Sequence, residues 1–325
     1  MRIDKSQIGR MLLITLSNIG DIILTTPVIK ALKRAFPEAR LDVMVGPAGR
    51  QIFEHDPEVF KLIIYDKHLP ISEKRRLQIK LRKLKYDLVV DLRNTVFPIL
   101  IAPKFRTSAI QRFPKNIMHA REKHLYRLTS FGIRPADKDP YIHIPREDED
   151  KVSDMLAGEG VSGPFVVMSP GAKSPIKKWG QAAFALVADR LKTECGTDIV
   201  FIGADNDKDA VAGVMAKTKR NHHSFAGKTN IRQLASLIKR SRLIITNDSA
   251  PLHIGCAVGA KVLAIFGPTN PKRYGPTGEF DLVVSGKLHC SPCEKAQCEY
   301  AHECMKQISA EEVFDNAKIM VEGYE

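Results

Sequence analysis

Two series of short apolar runs, each interleaved with helical periodicity and separated by a proline-rich stretch, leave this chain little choice of fold. In the first series residues 11–16, 41–45, 62–65 and 88–92 are apolar runs of buried-strand type. Ile22, Ile29, Leu32 and Phe36 recur at helical spacing after the first run, and a further helical pattern covers about residues 72–84. In the second series the runs are 165–168, 199–202, 243–246 and 262–266. Helical patterns lie near 181–191, 208–217 and 231–239, with a terminal one near 311–320. Strands this short and apolar are buried on both faces, and strands alternating with helices pair in parallel. The prediction is an α/β fold made of two doubly wound halves.

Residues 135–145 (PADKDPYIHIP) join the halves, and their prolines read as a linker carrying one extended segment. The acidic run 147–150 suits a helix start, where carboxylates meet the positive end of the dipole. The predicted domains are 1–146 and 147–325, two Rossmann-like domains facing across a cleft, and 325 residues suffice for both.

Charge narrows the partners. The chain carries a formal +13, which points to an anionic partner: nucleic acid, an acidic membrane surface or a phosphorylated substrate. Residues 70–127 hold fifteen Lys and Arg, among them Lys74, Arg75 and Arg76, against four acids. A single charge run is usually a solvated face; the concentration in one half asks for more. No segment approaches the ~18 apolar residues that cross a bilayer. The run 11–16 behind Arg2, Lys5 and Arg10 is too short for a signal peptide and is ended by polar residues. The expectation is a cytoplasmic protein with reduced thiols.

Two nucleotide-binding motifs are not met. Ala226-Gly227-Lys228-Thr229 ends like a phosphate-binding P-loop, but His222 stands where the first glycine is required. No G-x-G-x-x-G opens either half, which removes the main support for a nicotinamide enzyme.

Three loops survive. Ser17-Asn18-Ile19-Gly20-Asp21 follows the first run, at the strand end that lines a ligand crevice in parallel sheets. There Asp21 is either a general base or a helix-capping carboxylate. Ser169-Pro170-Gly171-Ala172 follows the first run of the second half and leads to Lys173, Lys177, Lys178 and Trp179. Its glycine admits close backbone approach and its lysines can neutralise phosphate, unless it is simply a basic surface loop. Asn247-Asp248-Ser249-Ala250-Pro251 runs from a strand into a helix carrying His253. Amides at that helix start form an anion site; the alternative is an Asp or Ser cap with a buried His. Cys290, Cys293, Cys298 and Cys304 follow in a polar segment. They are reduced or reversibly bridged thiols or, with only one C-x2-C pair, a structural zinc or iron–sulfur site.

Together these segments resemble glycosyltransferase family 9, the lipopolysaccharide heptosyltransferases, along nearly the whole chain. SNIGDIILTTPVIKALKRAFP (17–37) is similar to the family's opening motif, AGKTNIRQLASLI (226–238) to the segment before its nucleotide-site strand, and NDSAPLHIGCAVGAKVLAIFGPTNPKRYGP (247–276) to its signature block. The resemblance implies a GT-B fold, an N-terminal acceptor domain and a C-terminal domain for ADP-heptose. The catalytic aspartate falls on Asp21 and the phosphate-binding lysine on Lys177. The nucleotide-sugar motif falls on Asp248, Ser249, Ala250 and His253, and the ribose-contacting acid on Asp205, with Asp207 the alternative. An aspartate stands here where the family has glutamate, and Ala250 where many members have glycine.

The implied reaction is a single inverting displacement that requires no metal or other cofactor. Its acceptor is a phosphorylated, lipid-linked glycan met at the anionic inner membrane surface, with Lys74, Arg75 and Arg76 contributing to capture. A basic nucleic-acid-binding protein is the rival from another class. It leaves unexplained why Asp21, Lys177 and His253 all lie in strand-to-helix segments, and nucleic acid is not an expected partner.

Overall fold

The computed structural model describes residues 3, 4 and 7–323; Arg2 and Lys5 lie outside them. The chain divides into two compact units, Met1–His143 and Ile144–Glu325.

In the first unit the strands are β1 (Arg10–Ile14), β2 (Arg40–Val45), β3 (Lys61–Ile64), β4 (Leu88–Asp91) and β5 (Phe105–Arg106). They form one parallel sheet in the order β3-β2-β1-β4-β5. The apolar side chains of β1, β2 and β4 are fully enclosed, as strands covered on both faces require. Two buried carboxylates are the exceptions, Asp91 at the end of β4 and Asp42 on β2. Asp42 Oδ2 accepts from Arg10 Nη2 at 2.8 Å and from Tyr86 Oη at 2.6 Å, which offsets the cost of burying the carboxylate. Where one helix was expected after β1 there are two, Ile19–Ile23 and Thr26–Ala35, the second with its proline in the first turn. Residues 135–145 carry no strand. They are tied to the first unit instead, Tyr141 donating its N–H to Thr26 Oγ1 (2.9 Å) and its hydroxyl to Asp56 Oδ2 (2.7 Å).

In the second unit β6 (Phe165–Ser169), β7 (Asp198–Phe201), β8 (His223–Ser224), β9 (Leu243–Asn247), β10 (Val262–Phe266) and β11 (Leu282–Ser285) form a second parallel sheet, ordered β11-β10-β9-β6-β7-β8. The strands not anticipated from sequence are β5, β8 and β11, each at or next to a sheet edge. The acidic run opens helix Arg146–Gly158, and its Asp148 is buried. Burial alone would raise that carboxyl; Arg232 Nε at 2.6 Å, with Asn230 and Gln233, holds it below the ordinary carboxylate range. The same Asn230 and Gln233 form a reciprocal capping box that starts helix Ile231–Arg240, so one carboxylate fixes the start of a neighbouring helix. Helix Ala310–Glu322 packs on helix Gln181–Glu194, with the Arg190 guanidinium 3.6 Å from the Phe314 ring centroid.

Candidate functional site

All strands of each sheet run parallel, so the loops leaving their carboxyl ends share one edge. A crevice opens where the chain reverses its direction of travel across the sheet. In the second sheet that reversal lies between β6 and β9, because β7 and β8 extend to one side of β6 and β10 and β11 to the other side of β9. The two sequence-selected loops of this half leave those two strands.

They meet through an ion pair. Lys177 ends a 3-10 turn, Pro175–Lys177, and its Nζ donates to Asp248 Oδ2 at 2.6 Å. Thr269, from the loop after β10, donates its hydroxyl to the same oxygen at 2.5 Å. Asp248 is buried, whereas the Lys177 side chain keeps partial exposure. The capping reading of Asp248 does not hold, since its carboxylate is engaged by Lys177 and Thr269. Ser249 occupies the N-cap position of helix Ala250–Ala257 without a side-chain cap bond. Its hydroxyl lies 3.3 Å from Thr246 Oγ1. Ser249 and Ala250 thus stand where backbone amides have no intrahelical acceptor, close in sequence to the lysine's partner. His253 lies one turn in and is buried.

Asn247, the last residue of β9, is fully enclosed and had no assigned role in the sequence reading. Its Oδ1 accepts from Trp179 N at 3.1 Å and its Nδ2 donates to Pro170 O at 2.9 Å. It therefore clamps both ends of the loop that carries Lys177. Trp179 Nε1 in turn donates to Ile308 O at 2.9 Å, anchoring the loop against the segment before the terminal helix.

The loop after β7 is placed differently. Asp205 is exposed and pairs with Lys208 at 2.8 Å. Asp207 accepts from Ala204 N at 3.1 Å, and a Cβ added at Gly171 would come within 2.4 Å of its carboxylate. A side chain at Gly171 would therefore have to displace the Asp207 carboxylate. Lys178 is exposed.

In the first sheet the reversal lies between β1 and β4. Asp21 sits in the first turn of Ile19–Ile23, partly exposed, and its Oδ2 accepts from Asn18 Nδ2 at 3.0 Å. Asn18, not Asp21, holds the N-cap position, and it makes no side-chain cap bond. Lys74, Arg75 and Arg76 lie in helix Ile71–Lys83, which follows β3. Lys74 Nζ donates to Lys67 O at 2.7 Å, while Arg75 and Arg76 are exposed.

The four late cysteines are free thiols lining one small cavity. Burial, and next the neighbouring sulfurs of Cys298, Cys290 and Cys293, push the Cys304 thiol up. Among the described residues no group of three or more His, Cys, Asp or Glu side chains is arranged to hold a metal ion. No helix among them is long and apolar enough to cross a membrane.

A profile of glycosyltransferase family 9 (heptosyltransferase) matches residues 101–303. The chain is 30% identical over 282 residues to lipopolysaccharide heptosyltransferase 3 of Escherichia coli, covering 79% of this chain and 83% of that one. Its fold matches the family 9 glycosyltransferase of Veillonella parvula with a TM-score of 0.85, at 24% identity over 97% of this chain and 98% of the other. It also matches E. coli ADP-heptose lipopolysaccharide heptosyltransferase II with a TM-score of 0.79, at 22% identity over 96% and 98%. The expected α/β fold of GT-B type, with two parallel sheets, is therefore the observed one. The chain belongs to glycosyltransferase family 9, the heptosyltransferase family, and is a glycosyltransferase.

Proposed function

We propose that this enzyme transfers heptose from ADP-heptose to a phosphorylated, lipid-linked glycan of the lipopolysaccharide core. The observation that carries the donor half is the Lys177–Asp248 pair beside the start of helix Ala250–Ala257, at the reversal point of the second sheet. A cation and outward-facing amides held at one crevice suit a diphosphate. When the diphosphate binds, Lys177 exchanges part of its bond to Asp248 for phosphate oxygens, and the amides near Ser249 and Ala250 take the charge that builds on the leaving ADP. His253 and Asp205 complete the donor site, Asp205 toward the ribose.

Asp21 acts as the general base, taking the proton from the acceptor hydroxyl as it attacks the anomeric carbon. Asn18 orients the carboxylate, and the sugar inverts in one displacement. Lys74, Arg75 and Arg76 bind acceptor phosphate at the inner membrane surface, with no metal or other cofactor required.

The test is a panel of nucleotide sugars scored by ligand-induced thermal stabilisation and by transfer. ADP-heptose should stabilise the protein most and should alone support turnover. Stronger stabilisation and turnover with a UDP-sugar would overturn the donor assignment. Tight, salt-sensitive binding of DNA or RNA with no transfer would favour the nucleic-acid reading.

A further inference from the structure

Residues 96–103 read VFPILIAP, eight apolar residues in succession. Folded as helix Phe97–Ile101 with its flanks, such a stretch points apolar side chains in every direction. One side is used. Phe97 and Ile101 are buried in the cluster that includes Leu77 and Leu81, and the Phe97 ring meets Tyr65 edge-on at 5.1 Å. The other side is not: Val96, Ile99 and Leu100 are 64%, 60% and 36% exposed.

Helix Ile71–Lys83 packs beside it and adds Ile71 and Ile79, at 84% and 48%. These two lie at positions i and i+8 with Arg75 between them, on one face. Ile110 projects from the loop after β5 at 86%. Isolated exposed apolar residues are ordinary, but a group of them on two packed helices marks a contact surface.

The charge around this group identifies what it contacts. Residues 92–120 contain no acidic residue and hold Arg93, Lys104, Arg106, Arg112 and Lys115, of which Lys104 pairs with Asp87 at 3.1 Å. Helix Ile71–Lys83 has Glu73 as its single acid against six cations. Arg106 donates Nη1 to Pro98 O at 3.3 Å, which fixes a cation directly beside Ile99. Exposed apolar side chains on segments rich in cations and poor in acids are the composition of a surface that lies in the headgroup layer of an anionic bilayer.

We propose that Ile79, Val96, Ile99 and Leu100 insert into the acyl boundary of a membrane containing anionic phospholipid, with the surrounding Lys and Arg at its headgroup phosphates. The proposal rests on reading the acceptor as lipid-linked, and adds that the enzyme holds the bilayer by apolar insertion as well as by charge.

The test uses the full chain and its Ile99→Asn/Leu100→Asn variant, sedimented with phosphatidylcholine vesicles containing phosphatidylglycerol at low and high salt. Charge contacts weaken with salt and insertion does not. The wild type should keep a salt-resistant fraction on vesicles, and the variant should lose it, with about tenfold weaker partitioning and an unchanged melting temperature. Transfer to a deacylated, water-soluble acceptor should be equal in both, while KM for vesicle-borne acceptor rises in the variant. Unchanged partitioning of the variant would overturn the proposal. So would loss of a dimer in light scattering with vesicle binding intact, because a second copy would then be what covers the patch. If the wild type transferred to neither acceptor, the functional reading would fail while the vesicle result still decided the insertion surface.

Discussion

Lys177 and Asp248, 71 residues apart, form a 2.6 Å ion pair across the point where the second sheet reverses direction. The pair is asymmetric. Asp248 is buried and shares the same oxygen with Thr269, while Lys177 can reach solvent. The lysine is therefore the movable partner and the carboxylate its fixed seat.

Replacing Lys177 with Ala should weaken ADP binding by about tenfold or more, the usual effect of losing one charge-assisted contact. It should also lower stability by about 1 kcal/mol, because Asp248 keeps only Thr269 at that oxygen and partial exposure limits the loss. Lys178→Ala is the control, since Lys178 is exposed on the same loop. Equal loss of ADP affinity in calorimetry from both variants would mean diffuse charge, not a placed contact.

Asp21→Asn should reduce turnover by about 10²–10⁴-fold, with ADP-heptose affinity preserved within a few-fold. The amide can still accept from Asn18, so the short helix Ile19–Ile23 should stay folded. Near-normal turnover, or a melting temperature lowered as far as the rate, would reassign Asp21 to holding the loop.

Asn247→Ala removes bonds to both ends of the Lys177 loop and leaves the Trp179 N–H and the Pro170 carbonyl without that partner. Buried polar groups stripped of partners cost about 1–3 kcal/mol each. The variant should melt earlier and bind ADP more weakly, although Asn247 contacts no proposed ligand atom. Asn247→Asp keeps the acceptor for Trp179 but sets a carboxylate oxygen against the Pro170 carbonyl at an enclosed position, so it should melt at least as early as the Ala variant. Full stability of the Ala variant would show that the loop is held elsewhere.

These residues differ in how legible they were. The strand run 262–266 is β10 residue for residue, because a strand enclosed on both faces must be apolar throughout. β5 and β8 are two residues long at sheet edges, and the apolar run of β11, Leu282–Val284, is shorter than the runs read as strands. Helix Ile19–Ile23 was hidden by Gly20, a residue that lowers helix propensity. Asp248 lay in one motif, while Lys177 was one of three lysines in another and was singled out by the family resemblance. Their contact was not legible, since it depends on β9 lying next to β6, which follows from sheet order and not from any local pattern. Asn247 and Thr269 carry no signal of their own; an asparagine at a strand end looks like the start of a turn.

The last prediction concerns pH and lies in the first unit. His124 Nδ1 is enclosed without a hydrogen-bond partner. Burial, reinforced by the positive charges of Arg127 and His119, brings the ring down to about 4. An unfolded histidine titrates near 6.5. Between those values the unfolded chain takes up a proton that the folded chain refuses, so stability rises with pH there. The contribution is fully present above about pH 6.5 and is lost as pH falls toward 4, by about 2–3 kcal/mol over the window. Thermal melts from pH 7.5 to 4.5 should therefore show a decline that His124→Gln reduces, since glutamine has nothing to protonate. Arg127 keeps its bond to Asn94 Oδ1 at 2.9 Å in that variant, so the comparison isolates the imidazole. A decline equally steep in both proteins would place the acid sensitivity in the carboxylates, with Asp148 and its Arg232 partner the first to examine.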